Sequence, residues 1–257
     1  MIIMDKKIIM NLIIVFSLML LTKSKDNSTL SNYQSISLTN LNGIFEPDFD
    51  QKIIIGNLEY TFLSKENGDI ITLDTKYLDI ISIKNNDTGN DLKYTFGEKN
   101  EKLGTPLNIK YDYKKGDIIH VNISYKTTPE GSSVQFLTKN QTVDKTHPYL
   151  FTMSEMIYGR ELLPSQDTPA IKFTFYLGIK VKEDIRGMIS GIFDHYDNDM
   201  YIYYYRQDIP VPNYLIALAA GKIVERKIND MITIYSESGF IDLAYDELKD
   251  QMHKIFN

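Results

Sequence analysis

The densest set of side chains able to do chemistry is Asp194, His195, Asp197 and Asp199, interleaved with Tyr196 and Asn198. Carboxylate oxygens with one imidazole are donors for a divalent ion, but the spacing misses the EF-hand loop and lacks its glycine and closing glutamate. The residues favour a solvated hairpin loop between two strands, Met188–Phe193 and Tyr201–Tyr205. The histidines, His120, His147, His195 and His253, lie far apart, and no His-Glu-x-x-His occurs. The helical i, i+4 pair that commonly supplies two zinc ligands is therefore missing. Cysteine is absent altogether, which removes disulfides, thiolate ligands and cysteine nucleophiles. No Gly-x-Ser-x-Gly elbow or Gly-rich phosphate loop is present. With 34 Asp and Glu residues, a carboxylate pair for glycoside hydrolysis fits anywhere and is indicated nowhere. The run Tyr203-Tyr204-Tyr205 has the π-faces to stack on a sugar or base, but alternating core and surface along a strand is its ordinary role. Spacing alone assigns no catalytic residue and no metal ligand.

The elements that would carry such residues are mostly strands. Ile119, Val121, Ile123 and Tyr125 alternate with His120, Asn122 and Ser124, and Phe173, Phe175, Leu177, Ile179 and Val181 alternate with Lys172, Thr174, Tyr176 and Lys180. Leu107, Ile109, Tyr111 and Tyr113 repeat the pattern. Period two places the apolar set on one face, so Ile119, Val121, Ile123, Phe173, Phe175 and Leu177 are expected inside, with His120, Asn122 and Lys172 toward solvent. Shorter candidates are Leu58–Phe62, Leu78–Ile83, Met188–Phe193, Tyr201–Tyr205 and Ile232–Tyr235, separated by turn signals such as Asn67-Gly68 and Lys115-Gly116-Asp117. Many short strands between turns predict a mostly β protein, a large antiparallel sheet or sandwich. The exception is the C-terminus, where Ile241, Tyr245, Leu248, Met252 and Ile255 recur at helical spacing and predict a short amphipathic helix.

At 257 residues, 43% hydrophobic and 24% charged, the chain has the composition of a globular protein. A net charge of -6 without a basic block excludes electrostatic capture of nucleic acid. Lys6 and Lys7 followed by an apolar run from Ile8 to Leu21 have the shape of a signal peptide or signal anchor. Sequons at Asn27, Asn86, Asn122 and Asn140 are compatible with that compartment. The expected location is thus the secretory pathway or extracellular space, or a membrane held by the N-terminal segment.

Five stretches carry a resemblance. They are Leu73-Asp74-Thr75-Lys76; Tyr94-Thr95-Phe96-Gly97-Glu98; Pro148-Tyr149-Leu150-Phe151-Thr152 through Arg160 to Leu163-Pro164-Ser165-Gln166-Asp167-Thr168-Pro169; Ile209-Pro210-Val211-Pro212-Asn213-Tyr214-Leu215-Ile216-Ala217-Leu218; and Tyr235-Ser236-Glu237. In this order and spacing, from about Ser31 to Asn257, the chain resembles the N-terminal domain of zinc aminopeptidases of the leukotriene A-4 hydrolase and aminopeptidase B kind. Together with the N-terminal pattern, this divides the chain into a signal peptide or signal anchor over 1–24, a polar lead over 25–32, a β domain over 33–239 and the start of a helical linker over 240–257.

In that family the zinc ligands and the peptide-binding Gly-x-Met-Glu-Asn segment lie in a catalytic domain beyond the matched region. Zinc is implied only for that domain, no cofactor for this chain, and the chain by itself is expected to be inactive. The resemblance places substrate binding at Glu155 and Met153. The family usually has glutamine where Met153 stands and glutamine or glutamate where Glu155 stands, the latter helping to bind a peptide's free amino terminus. By residue type alone Glu155 is an exposed loop carboxylate. Arg160, Asp167, Pro164 and Pro169 are expected to shape the loop presenting it, the first two as an ion pair. The partners expected are a peptide amino terminus and, through the C-terminal helix, a catalytic domain or a second copy. The alternative function is a secreted, non-enzymatic peptide- or protein-binding module.

Overall fold

The computed structural model describes residues 26–256. The expected signal segment lies outside them. The first strands in chain order are β1 (Ile36–Asp48), β2 (Ile53–Ser64), β3 (Gly68–Thr75), β4 (Leu78–Asn85), β5 (Tyr94–Phe96) and β6 (Thr105–Tyr113). They are followed by β7 (Ile118–Thr127), β8 (Val134–Leu137), β9 (Tyr149–Thr152), β10 (Phe173–Lys180) and β11 (Arg186–Ile189). The chain ends with β12 (Ile192–Asp197), β13 (Ile202–Val211), β14 (Leu218–Gly221), β15 (Ile223–Lys227), β16 (Thr233–Glu237) and a helix, α1 (Ile241–Phe256).

A seven-stranded sheet in the order β12-β13-β10-β1-β2-β7-β4 dominates. Smaller sheets are β11-β14-β9-β8, β3-β6-β5 and the hairpin β15-β16. The mostly β expectation holds, with one departure: β1 and β10 pair in parallel inside an otherwise antiparallel large sheet. A parallel pair needs a long crossover. Here everything between β1 and β10 supplies it, including the whole β3-β6-β5 sheet and strands β8 and β9.

Period-two burial follows the pattern in the sequence. Ile119, Val121, Ile123, Phe173, Phe175 and Leu177 are buried, Lys172 is exposed, and His120 and Asn122 are half-buried on the opposite face of β7. β2 pairs along β7 in unbroken register, with Leu58 opposite Ile123, Tyr60 opposite Val121 and Phe62 opposite Ile119, so the two strands bury matched rows. These rows join Ile71, Leu73, Leu107 and Ile109 of the small sheet in one continuous core. Each fully buried large apolar side chain contributes about 1.5–3 kcal/mol relative to exposure.

Two expectations change around Gly191. The single strand expected over Met188–Phe193 is two, because the chain turns at Ser190-Gly191 and passes from the four-stranded sheet to the edge of the large one. Asp194, His195 and Asp197 lie within β12 rather than in a hairpin loop, and the turn begins only at Asn198. Cross-strand ring stacking extends the pairing: Tyr196 lies on Tyr203 with centroids 4.2 Å apart and His195 on Tyr204 at 4.7 Å. Such pairs contribute about 0.2–1 kcal/mol each to strand association.

α1 forms where its spacing predicts and leans on the β15-β16 hairpin. Arg226 of β15 lies 3.7 Å from the Tyr245 ring centroid and ion-pairs with Asp242. Leu243 stays 64% exposed.

Candidate functional site

Between β9 and β10 the chain makes an exposed loop standing on a buried base. Met153, Glu155, Met156 and Tyr158 are exposed, whereas every residue from Gly159 through Thr168 is buried. Backbone groups that deep must all find partners, and the polar contacts here tie the base to six distant parts of the chain, around Ser28, Ile36, Asp74, Leu103, Ser132 and Asn213.

The entry to the loop is held by Met153 N donating to Ser133 O at 2.8 Å, and Tyr158 N donating to Ser154 O at 3.0 Å closes it. The Glu155–Met156 peptide is cis. In the 3-10 turn Gly159–Glu161 that follows, the buried Glu161 carboxylate accepts from Ser132 N at 2.7 Å, Ser132 Oγ at 3.0 Å and Ser133 N at 3.1 Å. Its other oxygen pairs with Lys76 Nζ at 3.1 Å. Gly159 is required for close approach: a Cβ there would collide with Asn213 Nδ2 and sit 2.9 Å from Asp167 Oδ1.

Arg160 is the hub and is wholly buried. Its Nε donates to Asp167 Oδ2 at 3.0 Å, Nη1 to Leu103 O at 2.9 Å, and Nη2 to Ser28 O at 2.6 Å and Asp167 O at 3.1 Å. The Arg–Asp pair expected from the sequence is present, and the structure adds Asp74, whose Oδ1 lies 3.6 Å from Nη1. Asp74 also accepts from Leu30 N at 2.6 Å, Asp167 N at 3.0 Å and Thr29 Oγ1. Burial pushes the Asp74 carboxyl above its ordinary value, against the opposing pull of Arg160 and these donors. At Asp26 the balance is reversed. Burial is the largest single influence and raises it, but donors from Thr168 and Ser28, with the Arg160 charge, bring it below the ordinary value. Asn213 Nδ2 completes the base, donating to Ser165 Oγ at 2.8 Å and Asp167 Oδ1 at 3.1 Å. Gln166 bonds both ways to β1, accepting from Leu38 N and donating to Ile36 O, each at 2.8 Å.

Above this base lies a groove of about 430 Å³ lined by Ser28, Glu155, Met156, Ile157, Pro169 and Tyr214. One carboxylate on mostly apolar walls suits a cation carried on an apolar body. The two residues singled out from the resemblance part here. Glu155 lines the groove, whereas Met153 is 63% exposed and is not among the lining residues. Ser28 and Met156 carried no signal in the sequence. Tyr214 lies inside one of the matched stretches but has no motif of its own.

Among the described residues no group of three or more His, Asp and Glu side chains converges as metal ligands. His120 sits by Thr61 and Glu59, His147 on Asp144 and His195 on Asp194, each in a different part of the fold. The described residues do not fit a zinc centre.

The sequence profile of the Peptidase M1 N-terminal domain matches residues 31–215. Leucine aminopeptidase 2 of Yarrowia lipolytica is 33% identical over 233 residues, covering 91% of this chain and 35% of the relative. Leukotriene A-4 hydrolase of Xenopus laevis is 31% identical, covering 88% and 38%. The solved structure of native yeast LTA4 hydrolase superposes with a TM-score of 0.82 at 29% identity, over 91% of this chain and 36% of that one. The chain thus spans about a third of the length of the relatives it matches. By its fold, the match over residues 31–215 and the identity to these relatives, the chain belongs to the Peptidase M1 N-terminal domain family, of the leukotriene A-4 hydrolase and leucine aminopeptidase 2 kind.

Proposed function

We propose that this domain recognises the free amino terminus of a peptide, with Glu155 as the group that binds the ammonium. The observation that carries this reading is the placement of one carboxylate, Glu155, on a groove whose other walls are mainly Met156, Ile157, Pro169 and Tyr214. An ammonium has three donors and a carboxylate has room to accept them. Such charge-assisted bonds are roughly twice as strong as neutral ones. The base formed by Arg160, Asp167 and Asp74 holds the loop, so the carboxylate is presented with little ordering left to do on binding. The name leucine aminopeptidase 2, carried by relatives of this chain, supports a peptide with an apolar first residue as the ligand. On this reading the hydrolytic chemistry and its zinc belong to the part of those relatives that this chain does not cover, and this domain contributes substrate selection.

The test is an NMR titration of the full chain with leucinamide and with N-acetyl-leucinamide. Leucinamide is expected to shift the amides of Glu155–Ile157 and the acetylated compound is not. Glu155→Gln should remove that preference. Equal response to both compounds, or an undiminished preference in Glu155→Gln, would overturn the proposal.

A further inference from the structure

The lead before β1 is not a loose tail. Ser28 O accepts the 2.6 Å bond from Arg160 Nη2, and Ser28 N donates to Asp26 Oδ1 at 2.8 Å. Asp26 Oδ2 accepts from Thr168 Oγ1, Thr29 Oγ1 donates to Asp74, and Leu30 N donates to Asp74 Oδ1 at 2.6 Å. Thr29 and Ser31 are themselves buried. Residues 26–31 therefore form a strap pinned to the same buried charges that hold the Glu155 loop. The backbone of Ser28 is fixed by these bonds, and Ser28 lines the groove together with Glu155 and Met156.

Resting on the reading of Glu155 given above, we propose that Ser28 is a specificity-determining residue: the strap sets how bulky a first residue the groove admits. Glu155 reads the charge that all free amino termini share, so it cannot tell one first residue from another. That discrimination falls to the walls. Three of them, Met156, Ile157 and Tyr214, are large, and Pro169 is rigid; Ser28 is the small one and leaves the open volume. Its backbone cannot retreat without breaking its own bond from Arg160 and pulling on the bonds that Thr29 and Leu30 make to Asp74, so added bulk at position 28 must be taken from the ligand's space.

The experiment measures affinity of the full chain for alaninamide, leucinamide and phenylalaninamide by NMR titration. Ser28→Leu is expected to weaken phenylalaninamide by about tenfold or more relative to alaninamide, the scale on which a few methylenes discriminate in an apolar pocket. Ser28→Ala should leave the ratio as it is, and so should Asn27→Leu, an exposed neighbour that does not line the groove. Glu155→Gln should weaken all three amides alike. An unchanged ratio in Ser28→Leu, or equal loss of all three amides, would overturn the assignment of Ser28 while leaving Glu155 standing. Indifference of all three amides to Glu155→Gln would instead sink the reading of Glu155, and this inference with it.

Discussion

Replacing Arg160 by methionine tests whether the buried charges carry the loop. The substitution keeps an unbranched side chain but removes the donors to Asp167 Oδ2, Asp167 O, Leu103 O and Ser28 O, and the charge 3.6 Å from Asp74. Breaking a buried ion pair by deleting one partner costs about 3–5 kcal/mol, because the other charge stays behind unpaired. Stranded carbonyls add about 1 kcal/mol each, not additively. A net loss of about 4–6 kcal/mol is expected, a large share of the roughly 5–15 kcal/mol that holds a domain together. Arg160→Lys keeps the charge and loses the fork, so an intermediate loss of about 2–3 kcal/mol is expected. Urea unfolding of the full chain at two pH values reads both. Asp74 has a folded pKa above its ordinary 3.8, so its contribution to stability is fully present below that value and is lost as pH rises through the folded one. Removing Arg160 takes away the largest opposing influence and raises the folded pKa further, so the methionine penalty should be greater near pH 7 than near pH 4. Loss of the Arg160 charge beside Asp26 acts in the same direction. A penalty below about 1 kcal/mol, or one equal at both pH values, would refute the argument that charge rather than packing is at stake.

Four further outcomes are expected. Tyr60 is wholly buried and its hydroxyl finds no hydrogen-bond partner among the described residues, so Tyr60→Phe should raise stability by about 1 kcal/mol. Tyr125→Phe gives up the 2.9 Å bond to Leu162 O and should cost about 0.5–1.5 kcal/mol, so denaturation curves moving the same way for both would contradict the assignment. Gly159→Ala drives a methyl against Asn213 and Asp167 and should cost about 1–3 kcal/mol by urea unfolding; a neutral result would mean the base is looser than its hydrogen bonds indicate. α1 rests on a two-stranded hairpin with Leu243 exposed, so hydrogen exchange over Ala244–Gln251 should be faster than along β7, and equal protection would show the helix to be part of the main cooperative unit.

Much of the fold could be read from local pattern. Alternation in Ile118–Thr127 and Phe173–Lys180 set both the strands and the face each buries, because a one-residue slip would bury His120, Asn122 and Lys172 instead. The apolar spacing over Ile241–Phe256 made a helix for the same reason, and the matched stretches between Leu73 and Glu237 were enough to indicate the family and to single out Glu155. β1 escaped notice because Asn42-Gly43 and a bulge near Thr39 break its alternation, and its burial comes from partners on both sides. The acidic segment at Asp194 became strand because of aromatic partners across the hairpin, which no count of turn-forming residues weighs. The site itself was decided by tertiary structure. Ser28 and Arg160 meet across 132 positions, and Asp74 and Asp167 across 93. A buried charge has to find its counter-charge wherever the fold brings one, and that choice leaves no periodicity in the chain. The matched stretches could name the carboxylate; only the tertiary structure put Ser28, Met156 and Tyr214 around it.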